Sequence, residues 1–518
     1  MGAGLQTTVT GPTYDPDAQL FFNAQTGAGV TLTTTQMNAV NQWVVDAKAA
    51  NIWTKMKAIY PVVGGTATSH KFNLKNPLDT NAAYRLVFSG GWTHSSTGML
   101  PNGTNAYADT FLTPNAIINN NHLSYYIRTD VNLTQVDIGT TNGANNLDIE
   151  SRIANICYSN SSNGALLSYA NTSSLGFYIN SRLSASSFKA YKNELLKATS
   201  ATGTTVMPFS IYLGARNGAP LYYSSKQCAF STIGDGLTDL ESQLFYQITE
   251  KYQVALSRNI NTTQSFYYNP AYNNETNAFL FSTQITDNTI QTATNTLVTD
   301  LKTAGVFTKM KALYPMVGGT ATTCKFNLVN PQDTNAAFRL NFVGGWTPSA
   351  TGMTPNGINA YASTFLSPNT VFGSGFGAIG FYINQALTVF AKPMGTLNFD
   401  YLVAPTFVRG LNKSATAMTF SATLPMDGFF TVSRIVATDA FIMNRNGTFF
   451  NPTNSQQTAY APAEIVLGAT NTSTLVPTSY SNGRIALAYC SDGLTQAECT
   501  TLKSIVQNFQ TTLGRQVI

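Results

Sequence analysis

"AAYRLVFSGGWTHSSTGMLPNGTNAYADTFLTP" spans Ala82–Pro114, and "AAFRLNFVGGWTPSATGMTPNGINAYASTFLSP" spans Ala336–Pro368. The phrases belong to a longer match. Trp53–Pro114 aligns with Phe307–Pro368 without a gap, 254 positions on, with about three quarters of the positions identical. That offset exceeds the roughly 20–50 residues of a solenoid repeat, so each copy reads as a whole domain. Weaker echoes extend the match: "GFYINSR" from Gly176 with "GFFTVSR" from Gly428, "DGLTDLES" from Asp235 with "DGLTQAEC" from Asp492, and "LSRNI" from Leu256 with "LGRQV" from Leu513. The chain divides into an N-terminal arm (1–16), a first domain (17–260), a linker (261–274) and a second domain (275–518). The arm resembles a second linker and is expected to pack on something else.

Within the phrase the period is two. Tyr84, Leu86 and Phe88 point one way, and Arg85, Val87 and Ser89 the other. The second copy keeps the first set apolar as Phe338, Leu340 and Phe342, while Val87 becomes Asn341 and Ser89 becomes Val343. Polarity changes on one face alone, as in a strand with one buried side. Ile485, Leu487 and Tyr489 in "IALAYC" repeat the pattern, and Asn102-Gly103 and Asn356-Gly357 are hairpin-type turn signals. Met37, Val40, Val44 and Ala47 form one helical stripe, answered by Ala293, Leu297, Leu301 and Ala304. Thr238-x-x-Glu241 and Thr495-x-x-Glu498 are capping boxes that open a closing helix in each copy. The expected fold is mainly β: two tandem β-sandwich (jelly-roll) domains, each with an N-terminal and a C-terminal helix.

Charged residues make up 10% of the 518, against roughly 25% in an average soluble protein. The net charge of +5 is thinly spread, its densest spots being Lys55 with Lys57 and their copies Lys309 with Lys311. Nucleic-acid binding needs many basic phosphate contacts on one face, so it is excluded. No stretch nears the roughly 20 apolar residues of a membrane span, so no membrane insertion is expected. The N-terminus lacks the features of a secretory signal, which implies use without export or a signal already removed. Cys157, Cys228, Cys324, Cys490 and Cys499 are scattered and read as small buried residues; only Cys490 and Cys499 are placed to pair, in an oxidising milieu.

Chemistry is sparse. His70 and His94 face Cys324 and Pro348 in the second copy, and His122 has no clear counterpart, so no catalytic or zinc site is assigned to them. They are expected on the surface or satisfied in loops. Acids kept in both copies are Asp46 with Asp300, Asp79 with Asp333, Asp235 with Asp492 and Glu241 with Glu498. Glu241 caps a helix, Asp235 suits a turn, and Asp79 suits a loop or a pairing with Arg85. Asp109, the acid a glycosidase reading would add, is Ser363 in the second copy, so the paired carboxylates of a glycosidase are missing. No catalytic residue and no metal ligand is assigned and no cofactor is expected; calcium at Asp79 is the one ion considered, without a spaced acidic run behind it. The ligand-binding candidates are Trp92, Asn102, Asn105 and Tyr107, with Trp346, Asn356, Asn359 and Tyr361 in the second copy. Aromatic rings would stack on a sugar and the amides would bond its hydroxyls. The competing reading, favoured for Trp92 and Trp346, makes them core anchors.

The block from "WTKMKAIYPVVGGTATSHKFNLKNPLDTNAAYRLVFSGGWTHSSTGMLPNGTNAYADTF" to "SLGFYINSR" and "KQCAFSTIGDGLTDLES" resembles a module of tailed-bacteriophage virion proteins. Such modules look like the concanavalin A-like (laminin-G-like) jelly roll. The resemblance covers nearly all of the first copy and the second from Phe307, more loosely after Pro368. It implies a structural or adhesive, non-enzymatic part of a phage particle: tail fibre, tail or baseplate decoration, or head-surface protein. The implied partners are other virion proteins, further copies of the chain and host-surface glycans. The implied location is the virion, assembled from protein made in the host cytoplasm. The alternatives are a soluble or secreted carbohydrate-binding lectin and, behind it, a glycan-degrading enzyme.

Overall fold

The computed structural model describes residues 13–517, except 118, 164–165, 204–206, 266, 374, 389, 414–416, 422–424, 452–458, 461 and 474. Most of the expected N-terminal arm, residues 1–12, lies outside the described residues. Internal contacts divide the chain into two units, Met1–Pro270 and Ala271–Ile518.

Each unit opens with two helices where the sequence pattern predicts one. In the first unit these are α1 (Pro16–Gly27) and α2 (Thr34–Ala49), and α3 (Asp239–Ala255) closes it. In the second they are α4 (Asn274–Thr283) and α5 (Asn288–Thr303), with α6 (Gln496–Thr512) at the end. Asp15 caps α1 through the amide of Asp17, with Pro16 at the first helical position. The boxes Thr238/Glu241 and Thr495/Glu498 form at α3 and α6, and Thr33/Gln36 makes another at α2.

The strands of the first unit begin with β1 (Met56–Tyr60), β2 (Val87–Ser89), β3 (Trp92–Ser95), β4 (Gly98–Pro101), β5 (Tyr107–Asp109) and β6 (Asn121–Ile127). They continue with β7 (Ile138–Thr141), β8 (Asn146–Ile153), β9 (Ile156–Asn163), β10 (Leu167–Ala170) and β11 (Gly176–Ser184). The last are β12 (Ser187–Lys192), β13 (Leu195–Ser200), β14 (Tyr212–Leu213), β15 (Arg216–Asn217) and β16 (Cys228–Gly234). One sheet runs β13-β12-β11-β6-β16-β4-β3 with β1 beside β16, and the other runs β10-β9-β8-β7-β14-β5-β2 with β15 beside β7. Their inner faces meet through Tyr60, Leu123, Tyr125, Ile127 and Tyr178 on one side and Ala108, Ile138, Leu147, Ile149 and Leu213 on the other. The helices cover the outer face of the first sheet. Trp43 of α2 lies 5.2 Å from Phe230, and Phe245 of α3 lies 5.1 Å from Phe177.

The second unit repeats the plan. One sheet centres on Gly377–Gln385 between Gly428–Val436 and Arg484–Asp492; the other centres on Ala391–Thr396 between Val466–Leu467 and Phe399–Val403. Both units are β-sandwiches, as the sequence implies.

Three local expectations are corrected. The strand expected from Ala82 is only Val87–Ser89, because Asn81–Ala83 form a 3-10 turn and Tyr84 is left-handed at φ 59°. Leu86 is buried all the same, and Tyr84 and Phe88 pack against the same core, so the apolar set was right where the strand was not. Asn102-Gly103 makes no hairpin: it carries the chain from β4 in one sheet to β5 in the other. Lastly, a register shift where Tyr382 and Ile383 face Leu487 and Ile485 turns the "IALAYC" strand over. Ile485, Ala488 and Cys490 enter the core, while Tyr489 stacks on Phe429 outside it. All five cysteines are free and buried, Cys490 and Cys499 included.

One arginine per unit locks its closing helix to its sheet. Arg258, 1% exposed, donates to the carbonyls of Pro61 (2.9 Å), Val62 (2.6 Å) and Ala229 (2.7 Å). Arg515 does the same to Pro315 (2.7 Å), Met316 (2.7 Å) and Ala486 (3.0 Å). Removing a buried donor leaves each carbonyl at the cost of its desolvation. Arg515→Met is expected to destabilise the second unit by at least about 3 kcal/mol, read as a lowered urea midpoint. Arg515→Lys recovers only part, because an ammonium lacks the planar fork that reaches all three oxygens.

Candidate functional site

The repeated phrase builds a corner. Trp92 Nε1–H donates to the carbonyls of Ser89 and Tyr107, both at 3.1 Å, and Trp346 does likewise to Val343 and Tyr361 at 3.1 Å. Each indole packs against the core of its unit. A Cβ on Gly214 would sit 2.7 Å from the Trp92 ring, and one on Gly468 2.9 Å from the Trp346 ring, which explains a glycine at both places. Asn102 Oδ1 accepts from the amides of Thr104, Asn105 and Ala106, and its Nδ2 donates to Asn105 Oδ1 at 2.8 Å. Asn356 and Asn359 repeat this at 2.8 Å. These groups shape the loop: both amide atoms of Asn102 and the Oδ1 of Asn105 are engaged within it, while both side chains stay exposed.

Tyr107 has a different setting. In β5 the core takes Ala108, so Tyr107 and Asp109 point to the outer face of the second sheet. There Tyr107 stacks on Tyr212, with centroids 4.5 Å apart and planes at 12°. Strand pairing aligns a row across that face: Val87, Asp109, Tyr212, Gly139, Asp148 and Asn160. The adjoining row holds Glu150 beside Tyr158. Gly139 has a positional reason, since a Cβ there would lie 2.3 Å from that of Asp148.

Charge is concentrated beneath this row. Asp148 is fully buried and takes Asn160 Nδ2 at 2.7 Å and Arg216 Nη1 at 3.4 Å. Glu150 Oε1 stands 3.9 Å from the same guanidinium, which also lies over the Tyr222 ring at 5.0 Å. Burial, and for Glu150 the neighbouring Asp148, push both carboxyls well above the usual range. Deeper still, Asp137 meets Lys226 Nζ at 3.2 Å and Ser224 Oγ at 2.8 Å, both pair members fully buried.

The second unit keeps the frame and loses the furniture. The same row reads Asn341, Ser363, Val466, Gly395, Asp400 and Leu411, with Leu402 beside Arg409 where Glu150 meets Tyr158. Asp400 pairs with Lys392 at 2.6 Å, and Tyr361 has Val466 where Tyr107 has Tyr212. The sequence reading sought acids present in both copies, so it missed Glu150 with its neighbour Arg216, and it missed Asp148 because its counterpart Asp400 lies outside the gapless match. The signal was the alternation in "LDIES", which puts two carboxylates on one strand face.

The remaining candidates have structural settings. Asp79 is held below the usual carboxylate range by Lys71 (2.6 Å) and Arg85 (2.9 Å), and Asp333 pairs with Lys325 at 2.6 Å. Among the described residues, no three His, Cys, Asp or Glu side chains are grouped to hold a metal. The histidines are less exposed than expected. His122 is buried in β6 between the Asp235 carbonyl (2.6 Å) and Thr232 (2.9 Å), and burial lowers it to about 4. His70 is 1% exposed, its Nδ1 is 2.9 Å from His94 Nδ1, and burial and His94 lower it to about 3.

No protein-family model and no curated protein sequence matches the chain. Three similar solved structures are all remote. Domain 4 of AbnA, an extracellular GH43 arabinanase from Geobacillus stearothermophilus in complex with arabinotriose, is 13% identical over 37% of this chain and 98% of its own, with a TM-score of 0.26. The binding domain of botulinum neurotoxin DC with rat synaptotagmin II is 10% identical over 88% and 98%, at 0.29. The enzymatically active domain of bacteriophage CBA120 tailspike protein 2 is 11% identical over 31% and 29%, at 0.22. With identities and scores this low, none of them bears on what this chain does.

Two outcomes follow. The raised carboxyl of Glu150 holds a proton that the unfolded chain releases, so its contribution to stability falls as pH rises from the ordinary glutamate range through neutrality. Glu150→Gln is therefore expected to match the parent Tm at pH 5 and exceed it at pH 8. Trp92→Phe removes two hydrogen bonds and is expected to cost about 1–3 kcal/mol in chemical denaturation, with circular dichroism unchanged.

Proposed function

We propose that this chain is a structural and adhesive, non-enzymatic protein of a tailed-phage particle, and that the outer sheet face of its first unit holds a saccharide. The carrying observation is the contrast between the copies. The same frame bears Tyr107, Tyr212, Asp109, Glu150 and Tyr158 in the first unit, and Tyr361, Val466, Ser363, Leu402 and Arg409 in the second. In the first unit all five positions are half-buried on the outer face, whereas in the second Val466 and Leu402 are fully buried and Ser363 nearly so, so the first face is accessible where the second is covered. Paired aromatic faces beside carboxylates suit pyranose rings and their hydroxyls. The phage assignment rests on the repeated phrase and its resemblance to virion modules; the partners are other virion proteins and host-surface glycans, and the location is the particle. The non-enzymatic reading is supported by Asp148, which is sealed under Arg216 and Asn160 rather than open to a substrate.

On an array of bacterial surface glycans, Tyr212→Ala and Tyr107→Ala are each expected to weaken binding by about tenfold, or 1.4 kcal/mol, while Tyr361→Ala leaves it unchanged. Release of reducing sugar that disappears in Glu150→Gln would overturn the non-enzymatic part. Absence of the chain from purified particles on a protein gel would overturn the virion part and leave a lectin.

A further inference from the structure

In the second unit a groove runs between α6 and the sheet it covers. Two adjoining cavities of about 400 and 380 Å³ share Asn446, Lys503 and Gln507; Arg445 and Val517 are among the other residues lining the first, and Ser504 is among those lining the second. Among the described residues no carboxylate pairs with Lys503, whose ammonium is disfavoured by burial and by Arg445.

The first unit shows what such a groove is for. The two sites correspond atom for atom at their base. Tyr126 Oη donates to Glu250 Oε2 and accepts from the Ile260 amide, while Tyr382 Oη donates to Gln507 Oε1 and accepts from the Val517 amide. In the first unit the chain then lies along α3. The Asn261 amide donates to Glu250 Oε1 (3.3 Å), Asn261 Nδ2 to Tyr246 Oη (3.4 Å), and Lys251 Nζ to the Tyr268 carbonyl (3.0 Å), with Tyr268 itself 2% exposed. The occupant is thus the polar segment that leads into a helix pair, here α4 and α5.

A second segment of that kind exists. Pro12-Thr13-Tyr14-Asp15 leads into α1 as Pro270-Ala271-Tyr272-Asn273 leads into α4, and each is preceded by a Thr-Thr pair, Thr7-Thr8 and Thr262-Thr263. The junctions match in bonding, the Asp15 amide donating to Asn41 Oδ1 (2.7 Å) and the Asn273 amide to Asn295 Oδ1 (2.8 Å). We propose that the groove beside α6 receives the N-terminal segment, residues 1–12, of a second copy of this chain. That segment carries no charged side chain, and its carbonyls offer acceptors to Lys503 and Gln507, as the Tyr268 carbonyl does to Lys251. Twelve residues span up to about 40 Å when extended, ample to lie along the groove. The contact joins unlike surfaces, so copies link head to tail into rings or filaments.

Sedimentation of the full chain, the chain lacking residues 1–12 and Ser504→Trp, which fills the groove from an exposed helix position, tests this. The full chain is expected to self-associate at tens of micromolar while both variants stay monomeric. A labelled peptide of residues 1–14 is expected to bind the truncated chain and to lose at least about tenfold in affinity when Ser504→Trp is added. Association that survives truncation, or peptide binding that ignores Ser504→Trp, overturns the proposal. So does a monomeric full chain beside a bound peptide, which would place the segment in its own molecule's groove. Displacement seen only with an acidic saccharide would give the Lys503 groove to a ligand and overturn it as well. None of these outcomes touches the saccharide face of the first unit.

Discussion

A guanidinium with no carboxylate beside it holds each unit together. Arg258 and Arg515 are met mainly by backbone carbonyls, Arg258 with the Gln253 side-chain oxygen (2.6 Å) besides, and burial lowers both, Arg515 to about 10. The carbonyls come from a bend just after the first strand, where Val62 and Met316 are left-handed at φ 51° and 47°, and from a central strand. A bend of that kind turns carbonyls away from any ladder partner, so it needs a donor from elsewhere. The arginine supplies it from the end of the closing helix. Helix, bend and strand therefore depend on one side chain, and the sandwich between them is built to that fixed frame.

Duplication made much of this legible in advance. The apolar set Tyr84, Leu86 and Phe88 could be read because its second copy kept polarity on one face, and the capping boxes because their chemistry is local. What stayed hidden depends on long-range geometry. Tyr84 turns left-handed because a 3-10 turn precedes it, and Asn102-Gly103 crosses between sheets because β4 and β5 pair with different partners. The register shift that turns over "IALAYC" is decided by the facing strand Gly377–Gln385. Helix α4 is buried nearly all round, from Thr276 to Phe281, and lacks the stripe that betrays α2, while the stripe of α1 (Ala18, Phe21, Phe22 and Gln25) is short and ends in a polar residue.

The proposed saccharide face was illegible for a related reason. Searching for features shared by the copies finds what folding requires of both, and the face of the first unit is where they part. Gly139 and Asp148 persist as Gly395 and Asp400 because the glycine makes room for the acid. The tyrosines, Glu150 and Arg216 around them have no such steric tie and were free to change. Trp92 and Trp346, prominent in the sequence, are kept for the opposite reason: each stitches two strands of its own corner.

The close pair His70 and His94 has a consequence for how the two halves tolerate acid. Two imidazoles meeting through Nδ1 atoms share one proton at that contact, so a second proton there has no acceptor. All three histidines of the chain lie in the first unit, and burial lowers each of them. The unfolded chain therefore takes up protons, as pH falls below the ordinary histidine range, that the folded unit refuses, and this part of its stability drains away. The second unit, with Cys324 and Pro348 in those places, is spared that loss. A molecule built twice from one plan thus answers acid differently in its two halves: the first alone sets buried histidines that refuse protons against the raised carboxyls of Asp148, Glu150 and Glu250 that hold them.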